Sequence, residues 1–175
     1  MGGQKVLFRE VQKFNQGWLW ILLAIAVLSV VVPFGYGMVT QLVFGYAWGS
    51  RPMSDTALLL TGSLLIVCVL GLCYLIYVLR LVTEVDDEGV SIHFYPLSRK
   101  FIRYSEISSC TARVYRPIRE YGGWGIKYGP SGKAYNVSGD RGVQLVLNTG
   151  KHLLIGSQSS DQLAETINSK LAQSR

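Results

Sequence analysis

Residues Ala57 to Leu79 read ALLLTGSLLIVCVLGLCYLIYVL, and no charged residue stands between Asp55 and Arg80. At about 1.5 Å of rise per residue, a helix over this stretch spans roughly the 30 Å of a bilayer hydrocarbon core. The stretch is therefore expected to be a transmembrane helix. A second apolar run lies upstream. It opens at Trp18 (WLWILLAIAVLSVVV), meets Pro33 and continues through Phe34, Gly35, Tyr36, Gly37, Met38 and Val39 before Gln41. Together the two runs make a helical hairpin, and Pro33 with Gly35 and Gly37 is expected to kink or end its first arm. Neither run holds an acidic or basic residue. Ion and proton pathways usually need such groups within the membrane, so the hairpin is expected to be an anchor.

Removing the hairpin leaves about ninety residues from Thr83 onward, enough for one compact domain with a modest core. The expected organisation is a cytoplasmic N-terminal segment over 1–16, a transmembrane hairpin over 17–82 and a cytoplasmic domain over 83–175. The formal charge of +6 divides evenly, since residues 1–82 carry five Lys/Arg against two acids and residues 83–175 carry twelve against nine. That mild excess suits the anionic inner face of a membrane, where each nearby basic side chain adds about 1 kcal/mol. An ordinary solvated surface is the reading preferred for it, and it falls short of a nucleic-acid footprint. No nucleic-acid partner is expected.

Lys5, Arg9 and Lys13 precede the first helix, and Arg80, Arg99, Lys100 and Arg103 follow the second, whereas the connecting loop offers only Arg51 against Asp55. The positive-inside rule therefore places both termini in the cytoplasm of a two-span cell-membrane protein. Cys68 and Cys73 fall within the second helix and Cys110 in the cytosolic part, so all three read as free thiols. Met1-Gly2 starts no myristoylation signal, because Val6 stands where Ser or Thr is needed. The first apolar run exceeds a signal-peptide core and is expected to be retained. Val6 to Gln16 (VLFREVQKFNQ) reads either as a short amphipathic helix on the membrane surface or as a cytosolic lead-in. Trp18 and Trp20, then Tyr46 and Trp48, then Tyr74 and Tyr77, suit the two membrane interfaces.

Beyond Arg80 the periodicity changes from helical to alternating. Extended stretches are expected at Leu81 to Val85, Val90 to Tyr95, Lys100 to Tyr104 and Ser109 to Tyr115, followed by a glycine-rich section from Tyr121 to Gly142. Gly142 to Leu147 and His152 to Ile155 form a hairpin across Asn148-Thr149-Gly150-Lys151. Asp161 to Ala172 carries the stripe Leu163, Ile167 and Leu171 of an amphipathic helix. A small barrel of about seven antiparallel strands, plugged by this helix, would hide the strand edges.

That order resembles the pleckstrin-homology-like (PH-like) fold. Joined to a hairpin, it resembles small bacterial membrane proteins of unknown function that carry a PH-like domain. The residues that carry the likeness are Tyr121-Gly122-Gly123-Trp124-Gly125-Ile126, Ala134-Tyr135-Asn136-Val137-Ser138-Gly139, Gly142-Val143-Gln144-Leu145 and Leu154-Ile155-Gly156. The resemblance implies an α+β membrane protein with a binding or assembly role. Phosphoinositide-binding members place basic residues at the first hairpin, where this chain has Asp86, Asp87 and Glu88, so inositide recognition at that loop is disfavoured.

Gly129-Pro130-Ser131-Gly132-Lys133 ends like a phosphate loop, but Lys127 and Ala134 stand where the motif needs Gly and Ser or Thr. Trp124 reads either as core packed with Tyr121 and Tyr135 beneath the hairpin, or as a contact residue flanked by Arg116, Arg119, Lys127 and Arg141. The candidate binding residues are therefore Tyr121, Trp124, Arg116, Arg119, Lys127 and Arg141, with Arg80, Arg99, Lys100 and Arg103 as a membrane-proximal basic set. His93 and His152 lack partners at ligand or catalytic spacing, so no metal, cofactor or catalytic residue is expected. The expected function is a non-catalytic, membrane-anchored binding or assembly module whose partners are the bilayer and a second copy or another membrane protein. The alternatives are a small-ligand sensor or enzyme using 121–142 as its pocket, or an oligomeric pore lined by Thr61, Ser63 and Tyr74.

Overall fold

The structure, a computed structural model, describes residues 6–173. Met1-Gly2 and Lys5, which enter the targeting and charge arguments, lie outside the described residues. The chain forms two compact units: Asn15–Tyr77 is one, and the other combines the chain up to Phe14 with everything from Val78 onward.

The helical unit contains α1 (Gly17–Met38), which widens into a π-helical turn over Val39–Val43, and α2 (Asp55–Val78). Both are apolar on every side and lack the polar stripe of a surface helix. Their most apolar windows have mean hydropathies of 2.4 and 2.5, and only 6% of each window is buried. Pro33 does not end α1, which runs on for another turn. Gly62 lies directly against the side chains of Met38 and Phe34, so this small residue lets the two helices approach. Gly71 meets open space instead. Gln41 ties the connecting loop down, its Nε2 donating to the Met53 carbonyl and to Asp55 Oδ1, both at 2.7 Å. The indole of Trp48 lies tilted against the Phe34 ring, with centroids 5.9 Å apart.

The other unit holds two β-sheets. Its first sheet runs in order β1 (Phe8–Lys13), β2 (Arg80–Val85), β3 (Gly89–Tyr95), β4 (Ser98–Arg103), every pair antiparallel. The N-terminal stretch is thus a strand, not an amphipathic surface helix. Lys13 pairs with Arg80 and Phe8 with Val85, so the entire helical hairpin is inserted between two neighbouring strands. Phe8 is buried, but the other inward side chains of β1 are polar. Gln12 Nε2 donates to the Gly156 carbonyl at 2.8 Å, and Glu10 accepts from the Gln158 N–H at 2.8 Å and from the Ser157 hydroxyl. Polar residues that spend their hydrogen bonds on another element show no apolar alternation, which hid the strand in the sequence.

The second sheet contains β5 (Ile107–Val114), β6 (Gly125–Gly129), β7 (Gly132–Asn136), β8 (Arg141–Leu147) and β9 (His152–Gly156), in spatial order 5-8-9-7-6. A 3-10 turn over Tyr104–Glu106 leads from the first sheet into it, and α3 (Pro117–Tyr121) precedes β6. The expected closed barrel of about seven antiparallel strands does not form among the described residues. The described residues form nine strands in two separate sheets that do not close, and β7 pairs parallel with β9. Beyond the six extended stretches located in the sequence, the strands are β1, supplied from across the hairpin, and the two of the β6–β7 ribbon formed by the glycine-rich section. The amphipathic helix stands as expected: α4 (Ser160–Gln173) packs on β5 and β8 and buries Leu163, Ile167 and Leu171. With Leu81, Ile92, Phe94, Ile102, Val143, Leu145 and Ile155 they form the main core.

Candidate functional site

Two turns of the second sheet are built alike. The β6–β7 ribbon closes at Pro130-Ser131, flanked by the pair Gly129 and Gly132. Gly132 has φ +101° and lies against the His152 carbonyl, so a side chain there would push β7 off its parallel partner. The β8–β9 turn closes with the Leu147 N–H donating to the Lys151 carbonyl at 2.9 Å, and Gly150 has φ +75°. A lysine follows the glycine in each turn, as Lys133 and Lys151. Lys100, on β4 of the other sheet, pairs in register with Ile92 and so shares the face that looks toward the core. These elements enclose a cleft of about 580 Å³, lined by Lys100, Tyr128, Gly129, Pro130, Gly132, Lys133, Leu147, Gly150, Lys151, His152 and Leu153.

The cleft is cationic. Among the described residues Lys100, Lys133 and Lys151 have no carboxylate partner, and no acidic side chain lines the cleft. The Lys133 ammonium lies 5.0 Å from the centre of the Tyr128 ring and 4.7 Å from that of Tyr135. Burial works against its charge, but contacts with Tyr135 and Tyr128 outweigh this and raise its pKa above the ordinary lysine value. A lysine held protonated is a poor nucleophile and a poor base. It suits charge recognition instead.

A smaller cleft of about 360 Å³ adjoins, sharing Pro130 and His152 and adding Arg113, Glu120, Ser131 and Gln144. Here the charge is neutralised. Arg113 makes a 2.8 Å ion pair with Glu120 and donates to Gln144 Oε1 at 3.0 and 3.1 Å. The Arg113 hydrogen bond holds the Glu120 carboxyl below its usual range, while burial opposes and the Arg116 N–H assists. A third cleft, about 220 Å³, lies on the outer face of the first sheet among Arg9, Val11, Arg80, Val82, Glu84, Ser91, His93 and Arg99. Arg9 pairs with Glu84 at 3.0 Å, and Arg80 stacks 4.8 Å from the Tyr95 ring centre.

The residues singled out from the sequence scatter. Tyr121 is buried edge-on to Tyr115 at 6.0 Å, and its hydroxyl donates to the Ser131 carbonyl at 3.4 Å. Trp124 is half-buried and donates from Nε1 to the Gly139 carbonyl at 3.0 Å. Arg116 and Arg119 are exposed beside and on α3, Arg141 is exposed at the start of β8, and Lys127 is half-buried on β6. None of these lines any of the three clefts. Arg80 and Arg99 share the outer face of the first sheet, Lys100 faces the basic cleft, and Arg103 pairs with Gly89 at the far end of the sheet from Arg80. The motif residues Trp124, Asn136, Gly139, Gly142 and Gly156 meet at the end of the second sheet opposite the basic cleft. Lys133, Lys151 and Tyr128 were missed. Their only signal was the Gly-Lys at each turn, which fails the phosphate-loop spacing at Lys127 and Ala134. Among the described residues, no three His, Cys, Asp or Glu side chains gather as a metal site.

The molecule is thus an α+β protein in which two helices long and apolar enough to cross a membrane interrupt a two-sheet domain with a basic cleft. The chain belongs to a family of unknown function (DUF6141), whose profile matches residues 2–174. No curated protein matches it.

Proposed function

We propose that this protein is a membrane-anchored, non-catalytic binding module. Its two apolar helices cross the bilayer, and its PH-like two-sheet domain lies at the cytoplasmic face, offering the basic cleft to an anionic partner. One observation carries the reading: the helices are inserted between the register partners Lys13 and Arg80, so both strands of one sheet lead directly into an apolar hairpin. A domain tethered by two adjacent strands is restrained at the bilayer, which suits recognition at a surface better than diffusion to distant partners.

Three further points support it. Described basic residues flanking the helices, Arg9, Lys13, Arg80, Arg99 and Arg103, outnumber Arg51 in the loop, which favours a cytoplasmic domain. The second sheet is backed by α4, as in PH-like domains, although its parallel β7–β9 pair departs from a purely antiparallel arrangement. The cleft presents a protonated lysine between two aromatic rings, a recognition device rather than a proton-transfer one.

Carbonate extraction should leave the protein in the membrane fraction. Trypsin added outside intact cells should spare the exposed Lys151, and permeabilised cells should lose it rapidly. Release by carbonate, or cleavage at Lys151 from outside, would refute the placement.

A further inference from the structure

We infer that the cleft between β4 and the β6–β7 and β8–β9 turns binds a phosphate or diphosphate group carried on an apolar body. This inference rests on the binding-module reading above. The gathering of three lysines in one cleft that no acidic side chain lines points to it. Arg9, Arg113 and Lys170 are each held by a carboxylate, Glu84, Glu120 and Asp87 respectively. Lys100, Lys133 and Lys151 line one cleft with no carboxylate partner among the described residues. Gathering three like charges is unfavourable unless an anion joins them, and a single carboxylate would balance only one.

Phosphate and diphosphate groups carry about two or more negative charges near neutral pH and are recognised by lysines acting as point charges. The apolar part of the ligand is read from the walls. Leu147, Leu153 and the Tyr128 ring line the cleft beside the ammonium groups, and its volume of about 580 Å³ holds more than an inorganic ion. The group could come from a membrane phospholipid or from a soluble phosphorylated metabolite, and the test separates the two.

The full chain in nanodiscs of zwitterionic lipid is titrated calorimetrically with inorganic pyrophosphate, in wild type and in Lys133→Gln, Lys100→Gln and Lys151→Gln forms. Lys127→Gln serves as control, since it removes the same charge from the same ribbon outside the cleft. Saturable binding is expected in wild type, at least tenfold weaker in the cleft variants and within twofold of wild type in the control. Each variant's thermal unfolding is recorded, and the exposed Lys151→Gln separates lost binding from lost folding. In a second arm the nanodiscs contain phosphatidic acid. Weakened pyrophosphate binding there assigns the site to a lipid headgroup, and unchanged binding assigns it to a soluble ligand. No saturable binding in wild type, or equal loss in the control, overturns the inference. If the chain still resists carbonate extraction, the anchoring reading survives that failure.

Discussion

Asn136 is wholly buried, and its side chain holds two elements at once: Oδ1 accepts the Gly125 N–H at 2.9 Å and Nδ2 donates to the Tyr115 hydroxyl at 3.0 Å. Gly156 lies so close that its missing side chain would sit 2.7 Å from the Asn136 Cβ. Replacing Asn136 with alanine leaves a half-buried N–H and a buried hydroxyl without this partner and is expected to destabilise the domain by about 1–3 kcal/mol. Denaturation of the full chain in micelles measures this, and an unchanged midpoint would show that the corner is not structural. Titration supplies a second residue-scale prediction. Burial pushes the Cys110 thiol up to about 12, and burial with the nearby Asp86 and Asp87 pushes the Tyr104 phenol up to about 12. In the unfolded chain the same groups ionise near 9.0 and 10.0. Between those values and about 12 the unfolded state binds fewer protons, so stability is whole below about pH 9 and falls as pH rises further. Alkaline unfolding should begin in that interval. At pH 8 a maleimide should leave Cys110 unmodified until the protein is denatured.

At the scale of elements, β1 decides whether the domain is complete. It covers the edge of β2, and through Glu10 and Gln12 it reaches the β9–α4 junction of the other sheet. A fragment starting at Val78 lacks this strand. It leaves the β2 edge unpaired and strips Val85 of its cross-strand partner Phe8. Such a fragment is expected to aggregate or to unfold at least 10 °C lower than a domain that retains β1. A fragment as stable as the complete domain would show that β1 is dispensable. Glu10→Ala, which removes only the link to Ser157 and Gln158, should destabilise by about 1–3 kcal/mol.

For the whole molecule, the pairing of Lys13 with Arg80 implies that the helical hairpin and the folded domain are separable. Deleting Asn15–Tyr77 and joining Phe14 to Val78 through a short Asn-Gly turn should give a water-soluble, two-sheet domain. Its amide hydrogen-exchange protection should include β1, and it should unfold cooperatively. A molten or insoluble product would show that the sheets depend on the helices, and would count against an anchored-module architecture.

The amino-acid sequence by itself determined the two long apolar helices, the strands from β2 to β5, the β8–β9 hairpin and the stripe of α4, because each is written in the periodicity or turn chemistry of one contiguous segment. Those signals are local and survive without knowledge of any partner. Only the tertiary structure decided that the first strand pairs across the inserted helices, that the sheets stay open rather than closing into a barrel, and that lysines from two strands and a turn line one cleft. The reason is physical. Strand register and sheet order depend on which backbone edges meet, and residues such as Gln12 and Glu10 take their roles from groups far along the chain, to which hydrophobic patterning is blind.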